Sequence, residues 1–394
     1  MSLQKQLVLL IRLLQQVGHC NPGIDTGILL IVLLVHFCLC CIFTFEMAEE
    51  ILLIAGVAIA VLFIFRIYVR GAQCKSKAKL HGKTVIVTGS NTGIGRETAV
   101  DLARRGARVI LACRSQVRGE VAVAIVQRES GSKNVVFMQL DLASLKSVRS
   151  FAETFLKTER RLDILINNAG VYMQGTTDDG LGLMFGVNHL GHFLLTNLLL
   201  DRLKECVPSR IVTVSSYLHN YGNLDFDTLR THKEFGVGES PGSVFWIYAH
   251  SKLCNVLFTH ELAKKLQGTN VTCYSLHPGA VNSDLSRNLN KMSRRLLKPI
   301  AALFFKDVEA GAQTTLHCAV QEGIESLSGR YFSNCAVQKV KAKAQDDAVA
   351  KKLWEIKTHC PIQFLHFAVE PKESSGPNIR STGHFLANNY PQCV

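Results

Sequence analysis

The chain has 394 residues, 47% hydrophobic and 19% charged, which is too long for one small domain and too apolar for a disordered or collagen-like polymer. Its 44 Lys and Arg against 31 Asp and Glu leave a formal charge of +13, which suits nucleic acid or an anionic membrane, and a mean hydropathy of +0.16 favours the membrane and no nucleic acid. The 13 cysteines are scattered, their one CxxC spacing (Cys38 to Cys41) falls inside an apolar run, and no Cys/His cluster stands at zinc spacing, so they predict no metal and no disulfide framework and fit a reduced, cytosol-facing compartment.

The apolar excess sits at the N-terminus. Gly27 to Phe45 (GILLIVLLVHFCLCCIFTF) has no charged residue unless His36 is counted. At about 1.5 Å per residue it reaches roughly 28 Å, close to the thickness of bilayer hydrocarbon. A second run, Ile51 to Phe65, continues through Arg66 to Val69. Acidic FEMAEE separates the two, and Arg66, Arg70, Lys75, Lys77, Lys79 and Lys83 follow, a bias that puts the chain after Val69 on the cytoplasmic side. Three arrangements stay open. The runs form a helical hairpin; or Met47 is the start and Ile51 to Val69 is a single anchor; or the N-terminus is a cleaved signal, giving a secreted or luminal protein. The signal would have an unusually long leading region, since Asn21, Pro22 and Asp25 precede the longest run. Residues 1–75 are assigned to this anchor region. Within it Cys38, Cys40 and Cys41 are either palmitoylation candidates or apolar filler.

From about Leu80 the pattern becomes strand, loop, helix, strand. Strands are predicted over Lys83–Val87, Arg108–Ala112, Val135–Leu140, Asp163–Asn167, Arg210–Val214 and Val271–Ser275. Helices are predicted over Gly95–Arg105, Leu145–Leu156, Gly191–Lys204 and Lys252–Leu266. Such alternation implies a parallel sheet with helices on both faces, an α/β fold of the Rossmann-type doubly wound class. It occupies residues 76–356. Residues 357–394 lack periodicity and read as a poorly ordered extension.

Directly after the first strand comes Thr88-Gly89-Ser90-Asn91-Thr92-Gly93-Ile94-Gly95 and then a helix. Glycines there let the backbone turn and approach a pyrophosphate held at the positive helix end, the pattern of a dinucleotide site. The second strand ends in Cys113-Arg114, where an acid would grip a ribose 2′-hydroxyl and an arginine instead pairs with the 2′-phosphate of NADP; Arg96 is a candidate second cation. Asp141, before Leu142 at the end of the third strand, either accepts from adenine, caps the next helix, or does both. Asn168-Ala169-Gly170 end the fourth strand and Ser216 follows the fifth. Tyr248 and Lys252, four apart, share one helix face. A phenol with a pKa near 10 is a poor proton carrier at neutral pH, and the neighbouring ammonium is expected to lower it. Lys252 would also hold the nicotinamide ribose, Ser216 the substrate oxygen, and Asn188 a water in the proton relay.

In this order, TGSNTGIGRETA, LACRSQVRGE, LDLASLKSVRSFA, ILINNAG, GVNHLGHFLLTNLLLDRLK, YAHSKLCNVLF and HPGAVNSDL resemble the short-chain dehydrogenase/reductase superfamily, in its retinol dehydrogenase branch. The resemblance covers about Leu80 to Ile356. It implies NADP(H), hydride transfer between nicotinamide and a carbonyl carbon, and the roles of Asn188, Ser216, Tyr248 and Lys252 given above. It also implies that Pro278, Gly279, Val281 and Ser283 complete the cofactor site, with Ser283 in place of a common Thr. The membrane, of the endoplasmic reticulum with the catalytic domain facing the cytosol, and a homodimer paired through helices such as Gly191–Lys204 follow from the same resemblance.

Two segments depart from the family or modify it. The interval from Ser216 to Tyr248 carries extra residues around Phe235 to Gly242, which would overlie the site. After Pro278-Gly279 the chain brings Arg287, Lys291, Arg294, Arg295 and Lys298 ahead of apolar Pro299 to Phe305, which reads as a basic membrane-surface segment or as a solvated helix. Three functions are carried forward: a retinaldehyde/retinol oxidoreductase, a reductase of another apolar carbonyl such as a steroid or lipid aldehyde, and a non-catalytic membrane-tethered scaffold. Asn270-Val271-Thr272 is a sequon that would be glycosylated if the domain were luminal.

Overall fold

The computed structural model describes residues 49–226, 241–281 and 304–359, together with residues 31, 34 and 35. Helix α1 (Glu49–Arg70) carries the second apolar run. Its Leu53–Arg70 portion is long and apolar enough to cross a membrane and is not buried by the rest of the chain. Leu183–Glu205, longer at 23 residues and less apolar, is also long and apolar enough, but its most apolar stretch is 78% buried, as in a core helix. Most of Gly27–Phe45, including Cys38, Cys40 and Cys41, lies outside the described residues, as do Ser283, Arg287 to Leu303 and residues 360–394.

From Thr84 the chain alternates strand and helix. In order come β1 (Thr84–Thr88), α2 (Gly93–Arg104), β2 (Arg108–Cys113), α3 (Gln116–Ser130), β3 (Val135–Gln139), α4 (Leu145–Thr158), β4 (Ile164–Asn167) and α5 (Gly191–Glu205). Then follow β5 (Ser209–Val214), α6 (Pro241–Lys265), β6 (Val271–His277), α7 (Val308–Val320), β7 (Tyr331–Ser333), β8 (Ala336–Gln338) and α8 (Asp347–His359). The sheet order is β3-β2-β1-β4-β5-β6-β7-β8, parallel throughout except that β8 runs antiparallel to β7. The order reverses between β1 and β4, and a doubly wound sheet opens a crevice outside the carboxyl ends of its strands at that point.

Both sheet faces are dry. Ile86, Ile110, Leu165 and Ile211 enter the core layer under α4, α5 and α6. Val85, Val87, Val109, Leu111, Ile164, Ile166 and Val212 enter the other, with α2 and α7. This explains why the strands read as unbroken apolar runs and not as alternation. At the other end of the sheet, buried Asp163 accepts from Lys83 Nζ at 2.9 Å and from the Thr84 N–H at 2.9 Å, which fastens the entry of β4 to β1.

Three expectations change. The catalytic helix begins at Pro241, not Lys252, so Pro241 and Gly242 belong to its first turn rather than to an overlying loop. Lys357, Thr358 and His359 continue α8 instead of opening the C-terminal extension. Residues 72–74, assigned to the anchor region, lie on the domain: Ala72 N donates to Asn334 Oδ1 at 2.7 Å, and Cys74 N donates to Gln313 Oε1 at 3.1 Å.

Candidate active site

The loops that follow β1, β4, β5 and β6 meet at the crevice. After β1, Gly89 turns with φ 64°, and a Cβ there would come 2.8 Å from Ala169 Cα. A Cβ on Gly95 would fall 2.5 Å from Asn168 Nδ2 and 2.6 Å from Gly89 O. Glycine at both positions therefore lets α2 begin hard against the β1 and β4 ends. Thr92 is the N-cap, but its side chain does not cap the helix, so amides of the first turn remain aimed at the loop. Ser90 Oγ donates to Val87 O at 2.8 Å and fixes the turn from within.

Thr88 ties this loop to the β4 loop. Its Oγ1 accepts from the Asn168 and Ala169 amides at 2.9 and 3.0 Å, and Asn168 Nδ2 donates to Thr88 O at 2.8 Å. His192, overlooked in the sequence, completes the tie. Its Nδ1 is 3.2 Å from Asn188 O, a carbonyl that can only accept, so Nδ1 carries the proton and Nε2 accepts from Thr88 Oγ1 at 2.8 Å. Burial holds His192 down at about 3, hence neutral.

Asn188 lies in a π-helical turn, Gly186–Leu190, that leads into α5. Such turns are frequent at functional sites. Its Oδ1 accepts from Val171 N at 2.7 Å, while Nδ2 donates to Val171 O at 3.0 Å and to Ser251 Oγ at 3.1 Å. Its backbone carbonyl accepts from Asn255 Nδ2 at 3.0 Å. Asn188 thus couples the end of β4 to the helix that carries Tyr248 and Lys252. Ser251 and Asn255 were not singled out in the sequence; their positions on α6, flanking the Tyr–Lys face, are the only signal that could have found them.

Ser216, Tyr248 and Lys252 come together. The Ser216 oxygen accepts from Leu218 N at 3.2 Å, which leaves its proton for the hydrogen bond with the Tyr248 hydroxyl. Lys252 Nζ donates to Val214 O at 3.1 Å, and a Cβ on Gly170 would approach Nζ to 3.4 Å. The expected lowering of the Tyr248 pKa is not found. Burial pushes the phenol up to about 12, against the pull of Ser216, and burial brings Lys252 down to about 8. For both groups loss of solvation on burial is the leading cause. Tyr172 packs edge-on against Tyr248 at 5.1 Å between ring centroids, and Val171, Leu218 and Val244 add to an apolar wall.

The remaining expected residues lie around this centre. Gly279 turns with φ 92°, and Val281 is bridged to Lys306. Arg114 is exposed at the end of β2, and Arg96 pairs with Glu97 at 3.5 Å. Asp141 Oδ1 accepts from Ala143 N at 2.9 Å, making a turn before α4, whereas Leu145 N is capped by Asp179 Oδ2 at 2.8 Å. Leu142 is buried against Gly191. Among the described residues no group of three His, Cys, Asp or Glu could hold a metal ion.

The glycine cradle, the open first turn of α2 and the buried lysine fit a nicotinamide dinucleotide. Residues 83–227 match the family model described as short chain dehydrogenase. Over 309 residues, 78% of this chain and 81% of the relative, the sequence is 52% identical to Dehydrogenase/reductase SDR family member 13 of Bos taurus. It is 49% identical over 285 residues, 72% of this chain and 87% of the relative, to Retinol dehydrogenase 11 of Homo sapiens.

The chain belongs to the short-chain dehydrogenase/reductase family, in its retinol dehydrogenase branch.

It is accordingly an oxidoreductase. Among solved structures this family member is similar to an uncharacterized protein from Mycobacterium Paratuberculosis, with a TM-score of 0.57 and 32% identity over 75% of this chain and 97% of that one. It is also similar to a short chain dehydrogenase from Burkholderia cenocepacia in complex with NADP, with a TM-score of 0.51 and 25% identity over 64% and 96% of the two chains.

Proposed function

We propose that the protein is a membrane-anchored, NADP(H)-dependent oxidoreductase of a lipophilic carbonyl and its alcohol, with retinaldehyde and retinol the foremost pair. The observation that carries this reading is Ser216 hydrogen-bonded to buried Tyr248, with buried Lys252 beside it, against an apolar wall. The NADP complex of the Burkholderia cenocepacia relative and the exposed Arg114 support NADP over NAD. The names of the retinol dehydrogenase relatives support the substrate.

Bound NADPH supplies the hydride that reaches the carbonyl carbon. The chain's own residues handle the oxygen. Ser216 Oγ–H binds it as negative charge develops, and Tyr248 passes its phenolic proton to it. The Lys252 ammonium, held by Val214 O, stabilises the phenolate left behind. Asn188 acts as a positioning residue, holding Val171 and α6 in register.

We assign α1 as the anchor, in the endoplasmic reticulum with the domain on the cytosolic side, in line with the Lys and Arg that follow it. A glycosidase-sensitive shift at Asn270 would reverse that orientation. A homodimer is proposed to form away from the apolar face of α5, which α4, α6 and Trp354 cover. The test of the whole reading is NADPH consumption with all-trans-retinaldehyde by wild type and Tyr248→Phe. Equal rates reject catalysis by this tyrosine, and turnover of other apolar carbonyls alone rejects the retinoid.

A further inference from the structure

The cytoplasmic end of α1 is built into the rim of the active site. Phe65 meets Phe304 edge-on at 5.4 Å between centroids, and Arg66 Nη1 donates to Phe305 O at 3.1 Å. Arg70 pairs with Asp307 at 3.6 Å and with Glu309 at 3.3 Å, where Asp307 is the N-cap of α7. The next residue back, Lys306, donates its N–H to Ala280 O at 2.8 Å and lays its side chain over Gly279. From there aromatic contacts run along the rim. His277 lies 5.9 Å from Tyr217, Tyr217 6.4 Å from Tyr221, Tyr221 5.8 Å from Phe245, and Phe245 5.2 Å from Trp246. Ser216 precedes Tyr217, and Phe245 lies one turn before Tyr248, so this row borders the reacting groups.

The row faces outward. Tyr217 is 57% exposed, Tyr221 45%, Trp246 51% and Phe304 55%. Lys341 Nζ sits 5.7 Å from the centre of the Tyr221 ring. Large aromatic rings exposed together are costly in water, and Trp, Tyr and Lys are the residues that settle at the headgroup level of a bilayer. The joint between α1 and Phe304–Glu309 fixes the depth. If Arg66 ends a membrane span, Phe305, hydrogen-bonded to it, lies at the same level.

We propose that this aromatic rim is a second membrane contact: Tyr217, Tyr221, Trp246 and Phe304 rest on the bilayer, and the Ser216–Tyr248 site opens on its surface. The lipophilic substrate then moves sideways from lipid into the site without crossing bulk water. The inference rests on the reading of α1 as an anchor, and its test separates the two.

The chain has two tryptophans, and Trp354 is packed between Phe193 and Phe258. Trp354→Phe therefore leaves Trp246 as the only reporter. The full chain carrying this change is reconstituted into phosphatidylcholine liposomes, and carbonate-resistant flotation reports the anchor by itself. The expected result is quenching of Trp246 by lipids brominated close to the headgroup, with protection from aqueous iodide. Quenching by iodide and none by bromolipid, in chain that floats, overturns the rim contact while leaving the anchor in place. A chain that does not float overturns both.

A kinetic measurement on an otherwise wild-type background is independent of that variant. Trp246→Ser combined with Tyr221→Ser should raise KM about tenfold for an aldehyde dissolved in the liposomes. kcat, and KM for a short water-soluble aldehyde, should stay unchanged. Equal KM for the lipid-dissolved aldehyde in variant and wild type overturns the proposal. So does an equal rise for both aldehydes, which would mean a damaged site.

Discussion

Lys252 Nζ lies 5.5 Å from the centroid of the Tyr248 ring, with both side chains closed off from solvent. In the proposed reaction the pair would divide the work of proton transfer. Tyr248, pushed up to about 12, keeps its proton across the working range, and Lys252, brought down to about 8, is charged only below that pH. Carbonyl reduction needs both a protonated phenol and a charged lysine. Its kcat is therefore expected to be level below about pH 8 and to fall above it as Lys252 deprotonates, well before Tyr248 titrates. Alcohol oxidation needs the phenol to lose its proton first and should rise with pH over the neutral range. Tyr248→Phe should lower kcat about 10³-fold with little change in KM for NADPH. A reductive profile that stays level through pH 10 would contradict this division.

The same burial makes Lys252 a burden on the fold. A lysine at 10.5 in the unfolded chain and about 8 in the native one binds its proton less well after folding. Below pH 8 folding must confine that charge, at a cost of about 3 kcal/mol, and the cost fades as pH rises from 8 towards 10.5. Lys252→Met, similar in volume and uncharged, should abolish turnover and raise the unfolding midpoint at pH 7. The gain should shrink at pH 10. Thermal unfolding at both pH values checks the sign, and a lower midpoint at pH 7 would refute it.

Arg114 stands exposed where β2 ends, with Gln139 Nε2 donating to its backbone carbonyl at 3.3 Å. Under the proposed NADP preference its guanidinium would pair with the 2′-phosphate. Loss of a charge-assisted contact to the 2′-phosphate is worth roughly 2 kcal/mol. Arg114→Ala should then raise KM for NADPH about thirtyfold and leave that for NADH unaltered. Steady-state kinetics with each nucleotide decide this, and a parallel rise in both would assign the arginine to stability instead.

Much of this was legible in the sequence because the fold repeats one pattern. Each strand at the crevice is an apolar run followed directly by its loop, so Gly89, Asn168, Ser216 and Pro278 could be placed on one crevice by order alone. Residues that act through tertiary partners were not legible. His192 reads as one more polar residue in an apolar helix until Thr88 and Asn188 are seen on its two ring nitrogens. The sign of the Tyr248 shift depends on how completely the site is dry, which spacing does not record. The three-residue strands β7 and β8 are too short to show a period. Asp179, which caps α4 from a separate loop, has no local signal at all.

Helix α8 shows the same limit and yields the last prediction. Trp354 lies edge-on to Phe193 of α5 at 5.0 Å and stacks on Phe258 of α6 at 5.8 Å, while Lys265 Nζ sits 4.9 Å over its ring. Asp347, at the start of the helix, accepts from His260 Nε2 at 2.7 Å and pairs with Lys264. The apolar faces of α5 and α6 are thus covered from within the chain. Trp354→Ala should cost about 3 kcal/mol of stability, since it opens a cavity against two phenylalanines. It should also leave Phe193 and Phe258 to find a new partner. Light scattering of detergent-solubilised protein is expected to give a larger mass for Trp354→Ala than for wild type and Trp354→Phe, which keeps the ring. An unchanged mass with the full loss of stability would mean that α8 supports the core without shielding a pairing face.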